Sequence, residues 1–221
     1  MSEIAILGAI ISAVFPIFFF FSTGAKRASF NWFLLAFTLF SIIIDIINYY
    51  LASNKIHNHF VINFYDYFAI ILELSFILNA LPFKRKFKVF SLLLIVIYSL
   101  IHFQINMEYG WAHWPLNFSF LISLTVCIYC GVAILKVLLS ESNFSSQSKY
   151  VLLPIFGLLI FEAACLIPLC SYGFQSNEED RWLISFFYIY VVLFGNVIRN
   201  VLFTIYFIMA RRNFNEHQNF F

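Results

Sequence analysis

The stretch VINFYDYFAIILELSFIL, residues 61–78, is apolar enough to cross a bilayer as a helix, yet it contains Asp66 and Glu73. These two residues are seven positions apart, which brings their side chains back to nearly the same face of a helix. An ionisable group near the centre of a bilayer costs ~2.5–3.5 kcal/mol on insertion scales, so such groups face the bundle interior or water. The stretch therefore predicts a membrane helix whose polar face is turned toward other helices.

The composition of the whole chain indicates the same class of protein. Of its 221 residues, 62% are hydrophobic and 11% are charged, which is too little polar material to cover a water-soluble surface. The apolar runs do not alternate with polar residues as the strands of a membrane barrel do. We expect an all-α integral membrane protein that forms a single domain over residues 1–221.

Seven apolar segments have about the ~20 residues that a helix needs to cross a ~30 Å hydrocarbon core. They lie at about 4–22, 31–52, 60–81, 89–106, 116–139, 150–172 and 182–209. The segments between them are too short to bury a core of their own. The sequence therefore predicts seven transmembrane helices and no soluble domain.

The basic residues predict the orientation of these helices. Ten lie in loops on one side, two lie on the other side, and Arg199 lies inside the last helix. By the positive-inside rule, the amino terminus is outside and the carboxyl terminus is cytoplasmic. The abundance of Phe, Ile and Asn is typical of an AT-rich bacterial genome, so we expect a multi-pass protein of the bacterial inner (cell) membrane. Its net charge of +2 comes from these loops, so we expect the lipid bilayer, and not nucleic acid, as a partner.

Ionisable side chains recur inside the predicted helices 2, 3, 6 and 7. We call them the polar seam: Asp45, Asp66, Glu73, Glu162 and Arg199. At ~1.5 Å per residue, Glu162 is placed near the bilayer centre, Glu73 and Arg199 slightly toward the cytoplasm, and both aspartates in the outer half. With every group ionised the seam would be strongly negative, so we expect a protonated carboxylate or a bound cation.

Polar side chains on the same helix faces are expected to support the seam. Those predicted to orient its ionisable groups are Asn48, Tyr67, Asn196 and Asn200. Helix 5 adds a stripe of smaller groups, namely Ser119, Ser123, Cys127 and Cys130. Pro154 and Pro168 bracket Glu162, which raises the possibility of a broken helix at mid-membrane, as found in transporters.

Other motifs give no indication of catalysis. The CIYC motif at 127–130 has no basic neighbour in sequence and is interpreted as two core cysteines. Histidines near the outer boundary, His57, His59, His102 and His113, lack a fixed ligand spacing. We expect no metal and no cofactor, and no nucleophile–base spacing indicates an enzyme.

Two functional hypotheses follow. In the first, the seam binds a small polar or cationic solute, or protons, in a transporter or receptor. Glu73 and Glu162 are then the central carboxylates, and Arg199 is their counter-ion or an anchor for an anionic substrate group. Asp45 and Asp66 then line the route from the outside to these central carboxylates. In the second, the chain is a structural or regulatory subunit whose seam only specifies helix packing and which docks a protein partner.

Overall fold

The structure is a computed structural model that describes residues 3–23, 28–54, 59–109, 116–139, 150–172 and 178–218. Within these ranges the chain forms seven α-helices, which confirms the predicted all-α class and helix number. They are α1 Glu3–Ser22, α2 Asn31–Ser53, α3 His59–Ala80, α4 Arg85–Tyr109, α5 Leu116–Leu139, α6 Leu152–Tyr172 and α7 Glu178–Gln218.

Four of these helices contain stretches that are long and apolar enough to cross a membrane. The stretches are Asn31–Leu51, Arg85–Ile105, Phe118–Leu139 and Tyr190–Ala210. Two further apolar stretches, Leu7–Ser22 and Leu152–Ile167, are shorter. Large apolar side chains such as Phe18, Leu93 and Leu100 are exposed, whereas several charged and amide side chains are buried. This distribution is the one expected of a protein surrounded by lipid.

Six helices form a closed ring in the order α1, α2, α3, α5, α6 and α7, because α7 packs back against α1. The most extensive packing is between α6 and α7. Helix α4 lies outside the ring against α3, and hydrogen bonds from Tyr98 to Thr125 and from Tyr129 to Ser91 join it to α5. All four helices that carry the polar seam are therefore members of the ring.

Helix α6 runs without a break from Leu152 to Tyr172, through Glu162. Pro154 lies in its first turn, where the missing backbone donor costs no intrahelical hydrogen bond. The helix also continues past Pro168. The broken helix considered from the sequence is therefore not formed, and the site at Glu162 has to be built from side chains.

Helix α7 is longer than expected. It contains 41 residues, so it begins before and ends after the predicted segment 182–209. At ~1.5 Å per residue its length is about twice the hydrocarbon thickness of a bilayer.

Gly195 allows α6 and α7 to approach closely. A Cβ atom at this position would lie 2.9 Å from the Cβ atom of Ala164 and 3.5 Å from the Cα atom of Phe161. The obstructing atoms belong to the stem and backbone of a helix and cannot rotate away. The glycine is therefore required by the tightest helix pair of the ring.

We predict that Gly195→Ala lowers the thermal midpoint of the purified protein in detergent. The added methyl group must push α6 from α7, at a cost of roughly 1–3 kcal/mol. The matched control is Gly131→Ala, because a Cβ atom there meets nothing within 4 Å. The control should melt like the wild type or slightly higher, since alanine is the better helix former. Equal melting of the two variants would contradict this account of the α6–α7 contact.

Candidate functional site

Arg199 is the centre of the polar interior. Its side chain is completely buried on α7. Its Nη2 group donates a hydrogen bond of 2.5 Å to Asn196 Oδ1, and its Nε and Nη2 groups each lie 3.4 Å from Asn200 Oδ1. The three residues share one helix face because they are spaced at i, i+3 and i+4. The sequence of α7 therefore provides its own acceptors for the guanidinium.

These amides extend the network to two neighbouring helices. Asn200 Nδ2 donates to Ser12 Oγ of α1 at 2.9 Å, and Asn196 Nδ2 donates to Asp45 Oδ2 of α2 at 3.4 Å. We call this set the amide–arginine network: Ser12, Asp45, Asn196, Arg199 and Asn200. It connects α1, α2 and α7 through polar side chains that lipid cannot solvate.

Aromatic rings cover the remaining surface of the guanidinium. The Cζ atom of Arg199 lies 4.6 Å from the ring centroid of Phe37 and 4.3 Å from that of Phe161. A cation over the face of an aromatic ring is stabilised by the ring quadrupole, more so when water is excluded. Within the described residues, Nη1 makes no hydrogen bond. The positive charge is thus held by amides and rings, with carboxylates further away.

The second part of the site is a pair of buried carboxyl groups. Glu73 of α3 is 1% exposed and Glu162 of α6 is 4% exposed, and the two interact directly with each other. Both also interact electrostatically with Arg199. We call Glu73 and Glu162 the carboxylate pair. Its formation brings together two residues that are 89 positions apart in the chain.

The two members of the carboxylate pair differ in their neighbours. The hydroxyl group of Ser123 of α5 lies beside Glu162. Neither oxygen of Glu73 receives a hydrogen bond from a donor group among the described residues. Two ionised carboxylates are both acceptors, so a hydrogen bond between Glu73 and Glu162 requires a proton on one of them. The pair is therefore incomplete without an added positive charge.

The two aspartates lie at the border of this interior. Asp45 and Asp66 are half-buried, whereas the carboxylate pair is fully buried. The Ser119 hydroxyl donates to Asp66 Oδ2, and Asp66 interacts electrostatically with Glu162. The structure thus brings all five residues of the polar seam to the interior of the ring. Their functional role stays a prediction.

The four supporting residues are placed in different environments. Asn196 and Asn200 bind Arg199 directly, and Asn48 is half-buried one turn from Asp45. Tyr67 instead stacks on His102 of α4, with ring centroids 5.9 Å apart. It therefore faces away from the carboxylate pair.

Tyr65 is a residue of the site that the sequence analysis missed. Its hydroxyl group lies near enough to Glu73, Glu162 and Arg199 to be exposed to their charges. Counted at about 100° per residue, Tyr65 lies roughly 80° from Glu73 around α3, whereas Tyr67 lies roughly 120° away on the opposite flank. The angular spacing was therefore a usable signal, because a tyrosine side chain is long enough to reach across 80°.

The other motifs do not form a site. Cys127, Cys130 and Cys165 are free thiols, and the described residues contain no group of three His, Cys, Asp or Glu side chains suited to a metal ion. His57 and His113 lie outside the described residues.

The chain matches no known family model, no curated protein and no solved structure.

We predict that Asn196→Leu lowers the thermal midpoint in detergent. The change removes the shortest hydrogen bond of Arg199 and leaves a buried guanidinium donor with only the long contact to Asn200, at a cost of roughly 1–3 kcal/mol. The control is Asn79→Leu, because Asn79 is exposed on α3 and binds the carbonyl oxygen of Ser75 in its own helix. The network would have no structural role if the two variants melted together.

Proposed function

We propose that this chain is a multi-pass membrane protein that binds a proton or a small cationic solute at the carboxylate pair and transports it across the membrane. The observation that carries the proposal is Glu73, a fully buried carboxyl group to which the described residues donate no hydrogen bond. Leaving such a group unsatisfied is costly, and ionisable residues inside membrane helices commonly mark proton and ion pathways.

The graded exposure of the carboxylates supports a route to this pair. Asp45 and Asp66 are half-buried in the predicted outer half of the bundle, and the carboxylate pair is deeper and closed off. Each aspartate already holds a polar partner, Asn196 and Ser119 respectively. In the proposed route, the aspartates attract a cation from outside, and the carboxylate pair binds it. Arg199 then limits the excess of negative charge at the centre.

The topology proposed with this function has all seven helices crossing the inner membrane of a bacterium, with the amino terminus outside and the carboxyl terminus in the cytoplasm. The clustering of basic groups supports it. Lys136, near the end of α5, donates to the carbonyl oxygen of Pro82, which lies between α3 and α4. The exposed residues Lys84, Arg85 and Lys86 follow Pro82 closely in sequence, so basic groups from the start of α4 and the end of α5 meet at one end of the bundle.

A second candidate function, a structural or regulatory membrane subunit, is favoured by a different observation. The amide–arginine network links α1, α2 and α7 through hydrogen bonds between its own members. A network of this kind specifies helix packing without any ligand. In this alternative the cytoplasmic loops or tail dock a protein partner, and the carboxylate pair only contributes to assembly.

We predict that Glu73→Gln and Glu162→Gln each reduce transport at least about tenfold while leaving insertion and folding intact. Glutamine keeps the shape of the side chain but neither ionises nor exchanges a proton. The measurement is proton flux into liposomes that contain the purified protein and a trapped pH-sensitive dye, under an imposed potential and with gradients of sodium or methylammonium.

Glu108→Gln is the matched control, because Glu108 is an exposed residue of α4 outside the ring. It should transport like the wild type. Wild-type flux that both glutamine variants retain would reject transport at the carboxylate pair. Normal folding without flux under any gradient would favour the structural subunit.

The proposed orientation predicts opposite labelling of two exposed positions, one at each end of the bundle. In a variant whose four native cysteines are replaced by alanine, Asn54→Cys should react with a membrane-impermeant maleimide on right-side-out vesicles. Lys86→Cys should react only after the vesicles are opened. The reverse pattern would invert the orientation, and labelling of both before opening would contradict an odd number of crossings between them.

A further inference from the structure

The fully buried charges of the ring do not balance. Glu73, Glu162 and Arg199 are 1%, 4% and 0% exposed. Two carboxylates and one guanidinium leave an excess of one negative charge in a medium of low dielectric constant. An uncompensated buried charge is strongly unfavourable, so the interior must take up one positive charge. A proton or a monovalent cation supplies this charge, whereas a divalent cation would leave an excess of one positive charge.

The surroundings of the carboxylate pair determine where that positive charge goes. The hydroxyl group of Ser123 lies beside Glu162, where it can donate to the ionised carboxylate. Glu73 receives no hydrogen bond from a donor group of the described residues. With the proton on Glu73, its O–H group donates a hydrogen bond to the ionised Glu162, which also has the Ser123 hydroxyl beside it. With the proton on Glu162, the negative charge lies on Glu73, whose only donor among the described residues is then the O–H group of Glu162. Glu73 is thus the member that holds the proton.

We propose that Glu73 exchanges this proton for one monovalent cation, with Glu162 ionised throughout, so that the site binds one or the other and never both. The inference rests on the proposed function and specifies its stoichiometry and substrate class. In the exchange, the O–H bond of Glu73 breaks, the proton leaves to solvent, and the cation takes its place between the two carboxylates near Ser123. The charge of the interior is the same before and after.

The chemistry of the ligands limits the class of cation. Carboxylate and hydroxyl oxygens are hard donors, which suit an alkali cation or a small ammonium group that can donate hydrogen bonds to both carboxylates. Because the interior is fully buried, the cation must shed most of its water. A bulky quaternary ammonium ion has no N–H donor and is too large to lie between two carboxyl groups that interact directly.

Other titratable groups surround Glu73, but in this proposal none of them exchanges the proton for the cation. Those interacting with it are Tyr65 and Asp66 of α3, Cys127 and Cys130 of α5, Glu162 and Cys165 of α6, and Arg199 of α7. On the two other neighbours of α3, Asp45 of α2 binds Asn196 and His102 of α4 packs on Tyr67. Asp66 already accepts a hydrogen bond from the Ser119 hydroxyl.

Since the proton and the cation compete for one carboxylate, the affinity of the site for the cation should rise with pH.

The experiment measures proton release from the purified full-length protein in detergent, in weakly buffered solution with a pH-indicator dye. Sodium chloride or methylammonium chloride is added, and choline chloride is the control for ionic strength. Saturation with at least one of the two cations should release about one proton per chain, and choline should release none. Glu73→Gln should release none, and the exposed control Glu108→Gln should behave like the wild type.

Ser123→Ala provides a second variant that keeps both carboxylates. It should still release about one proton per chain, but with cation affinity reduced roughly tenfold because one hydroxyl partner is lost. Melting curves of each variant, with and without cation, show that it is folded and whether it binds.

The outcomes separate this inference from the proposed function. A cation that raises the thermal midpoint without releasing a proton would overturn the exchange and leave cation binding intact. Release of one proton from Glu73→Gln would also overturn it, because another group would be the donor. The absence of both binding and release would overturn the exchange, and if the liposomes also showed no proton flux, the proposed function would fail with it.

Discussion

The burial of Arg199 is the constraint around which the interior of this protein is arranged. A guanidinium cannot lose its proton, so a ring of apolar helices that encloses one must supply acceptors and compensating charge. Asn196 and Asn200 supply the acceptors, Phe37 and Phe161 cover its faces, and the carboxylate pair lies further away. Gly157 lets α6 approach α7 at the level of Arg199, because a Cβ atom there would lie 3.3 Å from the Arg199 backbone and from the Phe203 ring.

The polar interior divides into a part that stabilises the fold and a part that the fold leaves incomplete. The amide–arginine network gives the Arg199 guanidinium two amide acceptors on its own helix and links α7 to α1 and α2, although Nη1 has no acceptor among the described residues. The carboxylate pair lacks hydrogen-bond donors, because both ionised members are acceptors and no other described residue donates to Glu73. In a low-dielectric interior, hydrogen bonds between buried polar groups add rigidity. A buried polar group without a hydrogen-bond partner is unfavourable, and proteins retain such groups mainly at functional sites. This difference separates Glu73 from Asn200, although both are buried polar groups of apolar helices.

Much of this arrangement could be read from helical periodicity. Seven apolar segments predicted seven helices, and the spacing of Asp66 with Glu73 placed both on an inward face. The order of the ring was not readable, because segments of similar apolarity do not specify their neighbours, and nothing in α4 marked it as the outer helix. The partners of Arg199 depend on side-chain conformations, which helical periodicity does not specify. Its positive charge favoured carboxylates as partners, but the amides of its own helix are closer. Periodicity grouped Tyr67 with Glu73, although Tyr65 is closer to Glu73 in angle around α3.

The packing of the ring is uneven in a way that bears on the site. Contacts between α6 and α7 are the most extensive and include the close approach at Gly195, whereas α3 packs less extensively on α5 and α4. Glu162 and Arg199 thus belong to the tightly packed side, and Glu73 belongs to the more loosely packed helix. Adding or removing one positive charge between Glu73 and Glu162 changes the attraction across the α3–α6 gap. Because α6 packs more extensively on its neighbours than α3 does, we expect a displacement that follows this change to fall mainly on α3, which is held chiefly by α2. Helix α3 also carries Asp66 and contacts α4 through Tyr67.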